Sequence, residues 1–293
     1  MAVEPQPRRN DEVDDPRARF HVVRRQVPAL IRLDERRHVV PQLGLSVADR
    51  YEVKWRGKEN GLFDAQAEPG QRPLRDAVIQ QLALKNGPLL VVEAGSGAAG
   101  DAIEIVRTLT NQQIEYIAVD PSSTATVLAQ RNVDQSRHDF RNGSRIALVT
   151  DTIEPVLGQV GSKQADVVYS VSVGHVMDDQ GFDGFVDRSV DTLKEDGFFV
   201  IGLKTIEDSL LGRPTTHVTG FGPRGISAMI AHDGLERRFL TGSENLDELM
   251  DKKGLERVGD PVFWSARGYD FPSPDPLERL KAHLVGGVFR RRR

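Results

Sequence analysis

The sequence predicts an α/β fold with a Rossmann-like sheet, in which helices cover both faces of a mostly parallel sheet. Residues 88–120, PLLVVEAGSGAAGDAIEIVRTLTNQQIEYIAVD, are typical of a strand, a glycine-rich loop, a helix and a second strand. Short apolar runs at 145–149, 165–173 and 198–203 indicate three further buried strands. Segments with helical spacing of apolar residues separate these runs, as the crossovers between parallel strands require.

Composition limits the classes of protein that this chain can belong to. Its 293 residues are 39% hydrophobic and 28% charged, which suits one large domain with additions. The absence of cysteine excludes disulfides, thiolate metal ligands and cysteine nucleophiles. No apolar run is long enough to span a membrane and the N-terminus has no signal-peptide pattern, so we expect a cytoplasmic protein. The net charge of −4 restricts any nucleic-acid contact to local patches such as residues 290–293.

The glycine-rich loop is the first candidate binding site. Gly95, Gly97 and Gly100 form the pattern G-S-G-A-A-G directly after the first strand. Glycines at such a turn let a ligand approach the strand end and the helix N-terminus, and an acid about 20 residues later can accept both ribose hydroxyls. Asp120 stands at that position. The pattern fits a nicotinamide or flavin dinucleotide as well as other nucleosides.

Glu93 distinguishes between these classes of ligand, because it lies two residues before the first glycine of the loop. A carboxylate there would repel a pyrophosphate bound to the same loop. It would favour a ligand that carries positive charge, such as an ammonium and a sulfonium. This indicates S-adenosylmethionine (SAM).

The run E-A-G-S-G, followed by a strand that ends in V-D, resembles the first two motifs of the class I SAM-dependent methyltransferases. The resemblance covers roughly residues 72–268. It implies a seven-stranded sheet with helices on both faces, methyl transfer from SAM with S-adenosylhomocysteine as product, and no required metal. The cofactor-binding residues that it implies are Glu93, Gly95, Ser96, Gly97, Gly100, Asp120, Pro121, Asp151, Thr152 and Ser170.

Asp151 has two interpretations. An acid just past the third strand can accept a hydrogen bond from the exocyclic amine of adenine. Asp and Thr also favour helix caps, so Asp151 can instead cap the helix that begins at IEPVLG. Both interpretations stay open at the level of sequence.

His175 and Tyr169 are the candidate catalytic residues on the substrate side. The fourth strand, 165–173, ends just before His175, at the edge where open α/β sheets bind ligands. Either side chain can act as a base if the acceptor is an oxygen or an amine. The alternative for His175 is a helix-capping or core histidine.

Three finer features resemble the RNA cap guanine-N7 methyltransferases. Asp101 follows the glycine loop, His175 follows the fourth strand, and a hairpin at 226–241 with Asp233-Gly234 at its turn precedes a helix that leads into G-L-E-x-V. Guanine N7 has an available lone pair, so its methylation needs no general base. The chain departs from that family's pattern at Glu93, Val176 and Arg75, and at Arg237-Arg238-Phe239, where a Glu-Tyr pair is expected.

The resulting hypothesis is an mRNA capping enzyme that binds RNA and methylates capped RNA by in-line transfer. The alternatives are a small-molecule or protein methyltransferase, and a non-catalytic methyltransferase-fold module of a larger assembly. For the first, we expect a pocket near His175 and Phe221.

The predicted organisation has four parts. Residues 1–19 form a disordered tail, and 20–71 form an N-terminal arm or small β-rich extension that can contact a partner protein. The basic residues of the arm can face RNA or form a solvated surface. Residues 72–270 form the methyltransferase domain, with a long polar loop at 205–224. Residues 271–293 form a C-terminal helix, over 276–284, and a basic tail.

Overall fold

The computed structural model describes residues 52, 72–206, 211, 216–230, 235–264 and 284–292. A seven-stranded sheet with the order β3-β2-β1-β4-β5-β10-β9 forms its centre. The strands are β1 Leu89–Ala94, β2 Ile114–Val119, β3 Arg145–Val149, β4 Ala165–Val171, β5 Leu193–Lys204, β9 Leu255–Trp264 and β10 Leu284–Arg291. Strands β1 to β5 are parallel to one another, whereas β10 is antiparallel to β5 and β9.

Six α-helices flank this sheet in the described residues. They are α1 Arg72–Ala83, α2 Gly100–Thr108, α3 Ser123–Ser136, α4 Ile153–Val160, α5 Asp179–Thr192 and α6 Ser243–Asp251. Helices α1 to α3 pack on one face and α4 to α6 on the other, because their apolar side chains belong to two separate core clusters. This confirms the predicted sheet with helices on both faces.

The alternation of side chains in β1 shows how the sheet serves both cores. Leu89 and Val91 pack against α1 to α3, while Val92 and Ala94 pack against α4 to α6. A strand that is buried on both faces must be apolar almost throughout, which is why these runs could be recognised in the sequence. The alternation places Glu93 on the same side as Leu89 and Val91.

A second, three-stranded sheet joins the end of β5. It consists of β6 Thr216–Gly222, β7 Gly225–Ile230 and β8 Leu235–Phe239, in that order. The hairpin of β7 and β8 was predicted, but β6 lies in the segment expected to be a polar loop. The expectation was wrong there because His217, Val218, Thr219 and Phe221 are exposed, so β6 lacks the apolar pattern of a buried strand.

The C-terminal residues also differ from the prediction. Instead of a basic tail, residues 284–291 form β10, between β5 and β9. The double glycine concealed this strand in the sequence, because glycine is uncommon in strands. Close packing explains it: a Cβ at Gly286 would lie 2.6 Å from the Ile201 carbonyl oxygen, and one at Gly287 would overlap the Arg257 guanidinium.

The C-terminal arginines are used within the fold. Arg290 Nε donates to Glu256 at 2.7 Å, and Arg292 forms an ion pair with Asp251. Arg291 donates to the carbonyls of Val190, Asp191 and Leu193 at the end of α5. A cation there also suits the negative end of the helix dipole.

The remaining terminal predictions lie outside the described residues. These are the tail at 1–19, the arm at 20–71 apart from Glu52, and most of the helix at 276–284. Within the described part of the chain, no helix has both the length and the apolar character needed to cross a membrane.

A buried acid holds the edge of the sheet where β1 and β4 begin. Asp166 accepts the Leu90 backbone N–H at 2.9 Å and the Lys194 ammonium at 2.7 Å, and it lies 3.4 Å from the Lys85 ammonium. The Asp166 side chain is 4% exposed. This cluster lies at the end of the sheet where the strands begin, whereas the glycine loop lies at their carboxyl ends. We therefore assign the cluster a structural role.

We expect Asp166→Asn to lower the free energy of unfolding by about 3 kcal/mol, because it removes one partner of a buried ion pair. Denaturant titration followed by circular dichroism measures this loss. An unchanged unfolding midpoint would contradict the role given to Asp166.

Candidate functional site

The glycine loop closes tightly over the ends of β1 and β2. The N–H groups of Gly95 and Ser96 donate to the Val119 carbonyl at 2.7 and 3.0 Å. Gly95 has a φ of 73°, and a Cβ there would overlap the side chain of Val173 in the turn after β4. The position therefore requires glycine for conformation and for space.

Asp120 joins the loop to the helix that follows β2. One carboxylate oxygen accepts the Gly97 N–H and the other accepts the Ser122 N–H, both at 2.9 Å. Asp120 is 5% exposed, and its backbone N–H donates to Val149 of β3 at 3.0 Å. A carboxylate oxygen can accept more than one hydrogen bond, so these contacts are compatible with Asp120 as an acceptor for a ligand.

Two non-glycine residues in the left-handed region border this loop and the turn after β4. Ala99, with a φ of 62°, precedes α2, and Ser172, with a φ of 58°, follows β4. The Ser172 N–H donates to the Gly202 carbonyl of β5 at 2.9 Å. A left-handed conformation costs a non-glycine residue about 1–2 kcal/mol, and such strain often marks functional sites.

A network of buried polar side chains lies beneath the loop, on the side of α1 and α2. The Tyr116 hydroxyl donates to Glu93 at 3.0 Å, and the Tyr169 hydroxyl donates to Asp101 at 2.8 Å. Arg75 of α1 reaches Asp101 at 3.4 Å. Two acids and one cation therefore lie in the core.

Burial raises the pKa of Glu93 well above its usual range, and the nearby carboxylates of Asp101 and Asp120 raise it further. The Tyr116 hydrogen bond opposes this rise. Burial also raises the pKa of Asp101, although Tyr169 and Arg75 favour its charged form. A cation bound near Glu93 would favour its ionised form.

Tyr169 is not on the substrate side in this structure. Its side chain is completely buried and faces α2, with the hydroxyl on Asp101. Burial raises its pKa well above the usual range, which makes it a poor base. Tyr116 and Arg75 were not predicted as part of this network. The period-two alternation of β1, β2 and β4 could have placed Glu93, Tyr116 and Tyr169 on one face.

His175 lies in a short 3₁₀ turn, Gly174–Val176, at the carboxyl edge of β4. It is 3% exposed. A Cβ at Gly174 would approach Leu203 and Phe182 to 2.8 Å, so the turn packs closely on β5 and α5. The structure thus places His175 beside the loop that carries Val173, the residue in contact with Gly95.

Ser170, the neighbour of Ala94 across the β1–β4 pair, is also placed at this edge. Its side chain is fully buried, and its hydroxyl has no hydrogen-bond partner among the described residues. A buried hydroxyl normally has one.

Asp151 follows β3 at the same edge and is half-buried, and Thr152 after it is exposed. The Asp151 carboxylate accepts the Thr152 N–H at 2.7 Å, and Thr152 makes no side-chain cap for α4. The N-cap position of α4 is Thr152, so Asp151 lies one residue before the position of a capping side chain. Pro121 lies between Asp120 and Ser122, the N-cap of α3.

Arg224, between β6 and β7, fastens the small sheet to the turn that contains His175. It donates to Asp179 at 2.8 Å, to the Gly174 carbonyl at 2.7 Å and to the Met177 carbonyl at 2.6 Å. Its guanidinium lies 4.4 Å from the centre of the Phe182 ring. Its side chain is 3% exposed. The sequence does not single out Arg224, because no local pattern distinguishes it from a surface arginine.

These residues fit a nucleoside that carries positive charge. The loop has glycine at three of its six positions, Asp120 and Glu93 supply carboxyl groups, and the Ser170 hydroxyl has no hydrogen-bond partner among the described residues. The described residues include no group of three or more His, Asp or Glu side chains that could hold a metal ion. The expectation that no metal is required stays a prediction.

In sequence, the chain matches no family model and no curated protein. Solved structures show its fold. A Burkholderia thailandensis 1,6-didemethyltoxoflavin-N1-methyltransferase, with bound 1,6-didemethyltoxoflavin and S-adenosylhomocysteine, has a TM-score of 0.56 at 16% identity, over 84% of this chain and 87% of the other.

Two cyanobacterial structures are similar as well. Magnesium protoporphyrin IX methyltransferase from Synechocystis, solved with S-adenosylhomocysteine, has a TM-score of 0.54 at 15% identity, over 84% of this chain and 98% of the other. A SAM-dependent methyltransferase from Anabaena variabilis has a TM-score of 0.53 at 13% identity, over 85% and 96%. The chain therefore has the fold of the class I SAM-dependent methyltransferases.

We expect Glu93→Gln to stabilise the protein without ligand at pH 8. A carboxyl with a raised pKa in the folded state stabilises the fold fully below the unfolded value of 4.5, and this contribution is lost as pH rises through the raised pKa. Glutamine avoids the cost of the buried charge and can still accept from Tyr116.

The advantage of the variant should shrink as the pH falls from 8 towards 5. Denaturant unfolding at each pH measures it, with Glu115→Gln, a half-buried acid of β2, as control. Equal stabilities of Glu93→Gln and wild type from pH 5 to 8 would contradict a raised pKa of Glu93 in the folded protein.

Proposed function

We propose that this protein is a SAM-dependent methyltransferase. The observation that carries the proposal is the convergence of Glu93, Gly95, Gly97 and Asp120 at the carboxyl ends of two adjacent parallel strands. This edge is where open α/β sheets bind ligands. Two carboxylates beside a glycine loop suit a cationic nucleoside better than a pyrophosphate.

Each residue of the edge has a proposed role towards the cofactor. Asp120 accepts the ribose hydroxyls, while Glu93 compensates the positive charge of the amino acid part. Asp151 accepts from the adenine amine, and the Ser170 hydroxyl completes the edge. SAM, when bound, supplies a methyl group on a sulfonium that is already a good leaving group. Ser96, Gly100, Pro121 and Thr152 complete the proposed cofactor-binding segments.

The methyl acceptor is proposed to bind next to the turn that contains His175. In-line transfer depends on alignment of the nucleophile with the methyl carbon and sulfur, so the walls of the acceptor pocket must be rigid. Arg224 provides such rigidity by fixing the three-stranded sheet to this turn. His175 is proposed as the residue that contacts the acceptor, and as its base where the acceptor must lose a proton.

A small molecule is the acceptor that the surroundings favour. The C-terminal arginines, a candidate basic patch for RNA in the sequence, already have partners in the fold. An acid pairs with Arg290 and with Arg292, and helix carbonyls accept hydrogen bonds from Arg291. The structurally similar proteins include methyltransferases of small molecules, as their names state. Capped RNA is the second candidate, favoured by Asp101, His175 and the β7–β8 hairpin.

The test is methyl transfer from radiolabelled SAM to a panel of acceptors. The panel holds a metabolite extract, GpppG-capped RNA, uncapped RNA, GTP and a protein lysate. We expect labelled metabolites, with labelling at subsaturating SAM reduced about a hundredfold by Asp120→Ala, because the variant loses two charge-assisted hydrogen bonds to the ribose. Asp166→Asn is the matched control, a buried acid at the opposite edge, and should retain activity at a temperature where it is folded.

The outcomes separate the candidates. Label confined to capped RNA would replace the small-molecule proposal with the cap proposal. Label confined to protein would overturn both. No label, together with no SAM binding by calorimetry, would overturn the proposed function.

We expect Arg224→Met to lower kcat/KM for the acceptor about tenfold or more, because small misplacements near a reacting group are costly. Its Kd for SAM should stay unchanged, since the side-chain hydrogen bonds of Arg224 within the described residues go to the turn and to α5. Arg224→Lys should recover part of the activity by keeping one contact.

Arg145→Met provides the control, since Arg145 forms an exposed ion pair with Glu115 far from this turn. Steady-state kinetics with both substrates varied measures the effect. Wild-type kinetics for Arg224→Met, or an equal loss in the control, would refute the role.

A further inference from the structure

Glu52 is far from the sheet in sequence but contacts the helix that follows β2. Its carboxylate accepts from the Ser122 hydroxyl at 2.8 Å, the Ser123 hydroxyl at 3.1 Å and the Thr124 hydroxyl at 2.7 Å. It also accepts the Thr124 backbone N–H at 3.2 Å. Glu52 is 6% exposed. Four donors thus converge on one buried carboxylate.

Helix capping alone does not account for this arrangement. Ser122 is already the N-cap of α3, and its side-chain oxygen accepts the Ala125 N–H at 3.1 Å. One capping side chain normally suffices at a helix N-terminus. Glu52 adds a charge that is stabilised by the helix dipole and by three hydroxyl groups.

The charge on Glu52 persists at neutral pH. Burial by itself raises the pKa of Glu52, but the hydrogen bonds from Thr124, Ser122 and Ser123 outweigh burial and lower the pKa below its usual value. The carboxylate is therefore a permanent acceptor for these donors.

Ser122 connects Glu52 to the proposed cofactor site. Its backbone N–H donates to Asp120 at 2.9 Å, while its hydroxyl donates to Glu52 at 2.8 Å. The other oxygen of Asp120 accepts from Gly97 of the glycine loop. A shift of Ser122 would thus move the carboxylate of Asp120 relative to the loop.

We propose that Glu52 is a positioning residue for cofactor binding, which holds Ser122 and thereby fixes the Asp120 carboxylate in the orientation that receives the ribose. The inference rests on the proposed function, since it assigns Asp120 to the ribose of SAM. It also gives a role to the part of the chain that precedes the main sheet. Glu52 touches neither cofactor nor acceptor in this proposal.

Calorimetric titration of the full chain with SAM and with S-adenosylhomocysteine tests the proposal. Glu52→Ala should raise both Kd values about tenfold, the effect of losing roughly one charge-assisted hydrogen bond. Glu52→Gln should have a smaller effect, because its amide retains a carbonyl acceptor. At saturating SAM, kcat and the KM for the acceptor should stay within twofold of wild type.

A merely structural role would give a different pattern. It would lower the melting temperature and the active fraction and leave the Kd of the folded protein unchanged. Asp166→Asn is the control for that pattern, because it removes a buried charge at the opposite edge of the sheet.

A double-mutant cycle tests the route through Ser122. Ser122→Ala should raise the Kd, and the double variant with Glu52→Ala should be no worse than the more affected single variant. If the losses of binding free energy in the two single variants add fully in the double variant, Glu52 does not act through Ser122. If Glu52→Ala fails to fold, Glu52→Gln and Ser122→Ala decide.

Two results would refute the inference. One is a wild-type Kd in folded Glu52→Ala, and the other is an equal rise in Kd in Asp166→Asn. If the wild-type protein itself does not bind SAM, the proposed function fails, and the inference fails with it. That result differs from a variant that binds as well as wild type.

Discussion

The carboxylate of Asp120 is the interaction on which the candidate site depends. It accepts the N–H of Gly97 in the glycine loop and the N–H of Ser122 at the start of α3. One side chain therefore joins the segment that follows β1 to the segment that follows β2. The alignment of β1 and β2 makes this possible, because Ala94 and Val119 pair at the ends of adjacent parallel strands. The loop geometry therefore follows from sheet register.

Polar and strained groups are concentrated around that point. Glu93 and Asp101 are buried acids, and Ala99 and Ser172 hold left-handed backbone without being glycine. Buried carboxyl groups and left-handed backbone at non-glycine residues each cost free energy on folding. Their common location is what a preorganised binding site requires, since strain and buried charge persist where the surrounding structure imposes them. The opposite edge is different, because there Asp166 is balanced by two lysines and a backbone N–H.

Long-range contacts made by charged side chains hold the additions onto the sheet. Arg224 ties the three-stranded sheet to the turn after β4, Arg257 supports the glycines of β10, and Arg291 closes the end of α5. In each case a guanidinium donates to backbone carbonyls, for which its several N–H groups are suited. Glu52 makes the opposite kind of contact, because its carboxylate accepts hydrogen bonds from hydroxyl and N–H groups at the start of α3.

By itself, the sequence determined the parallel core and the location of the candidate site. Buried strands are short apolar runs, a left-handed loop needs glycine, and Asp120 lies at a fixed distance from that loop, so all three are local patterns. Only the tertiary structure revealed β6, the strand formed by residues 284–291, and the contacts of Tyr169, Arg224 and Glu52. An exposed strand lacks the apolar alternation of a buried one. A glycine pair is favourable in a strand where neighbouring atoms leave no room for a Cβ. The partners of Arg224 and Glu52 lie about 45 to 70 residues away in the sequence. The physical reason is that burial and register decide what a polar side chain contacts, and both arise only when the sheet is assembled.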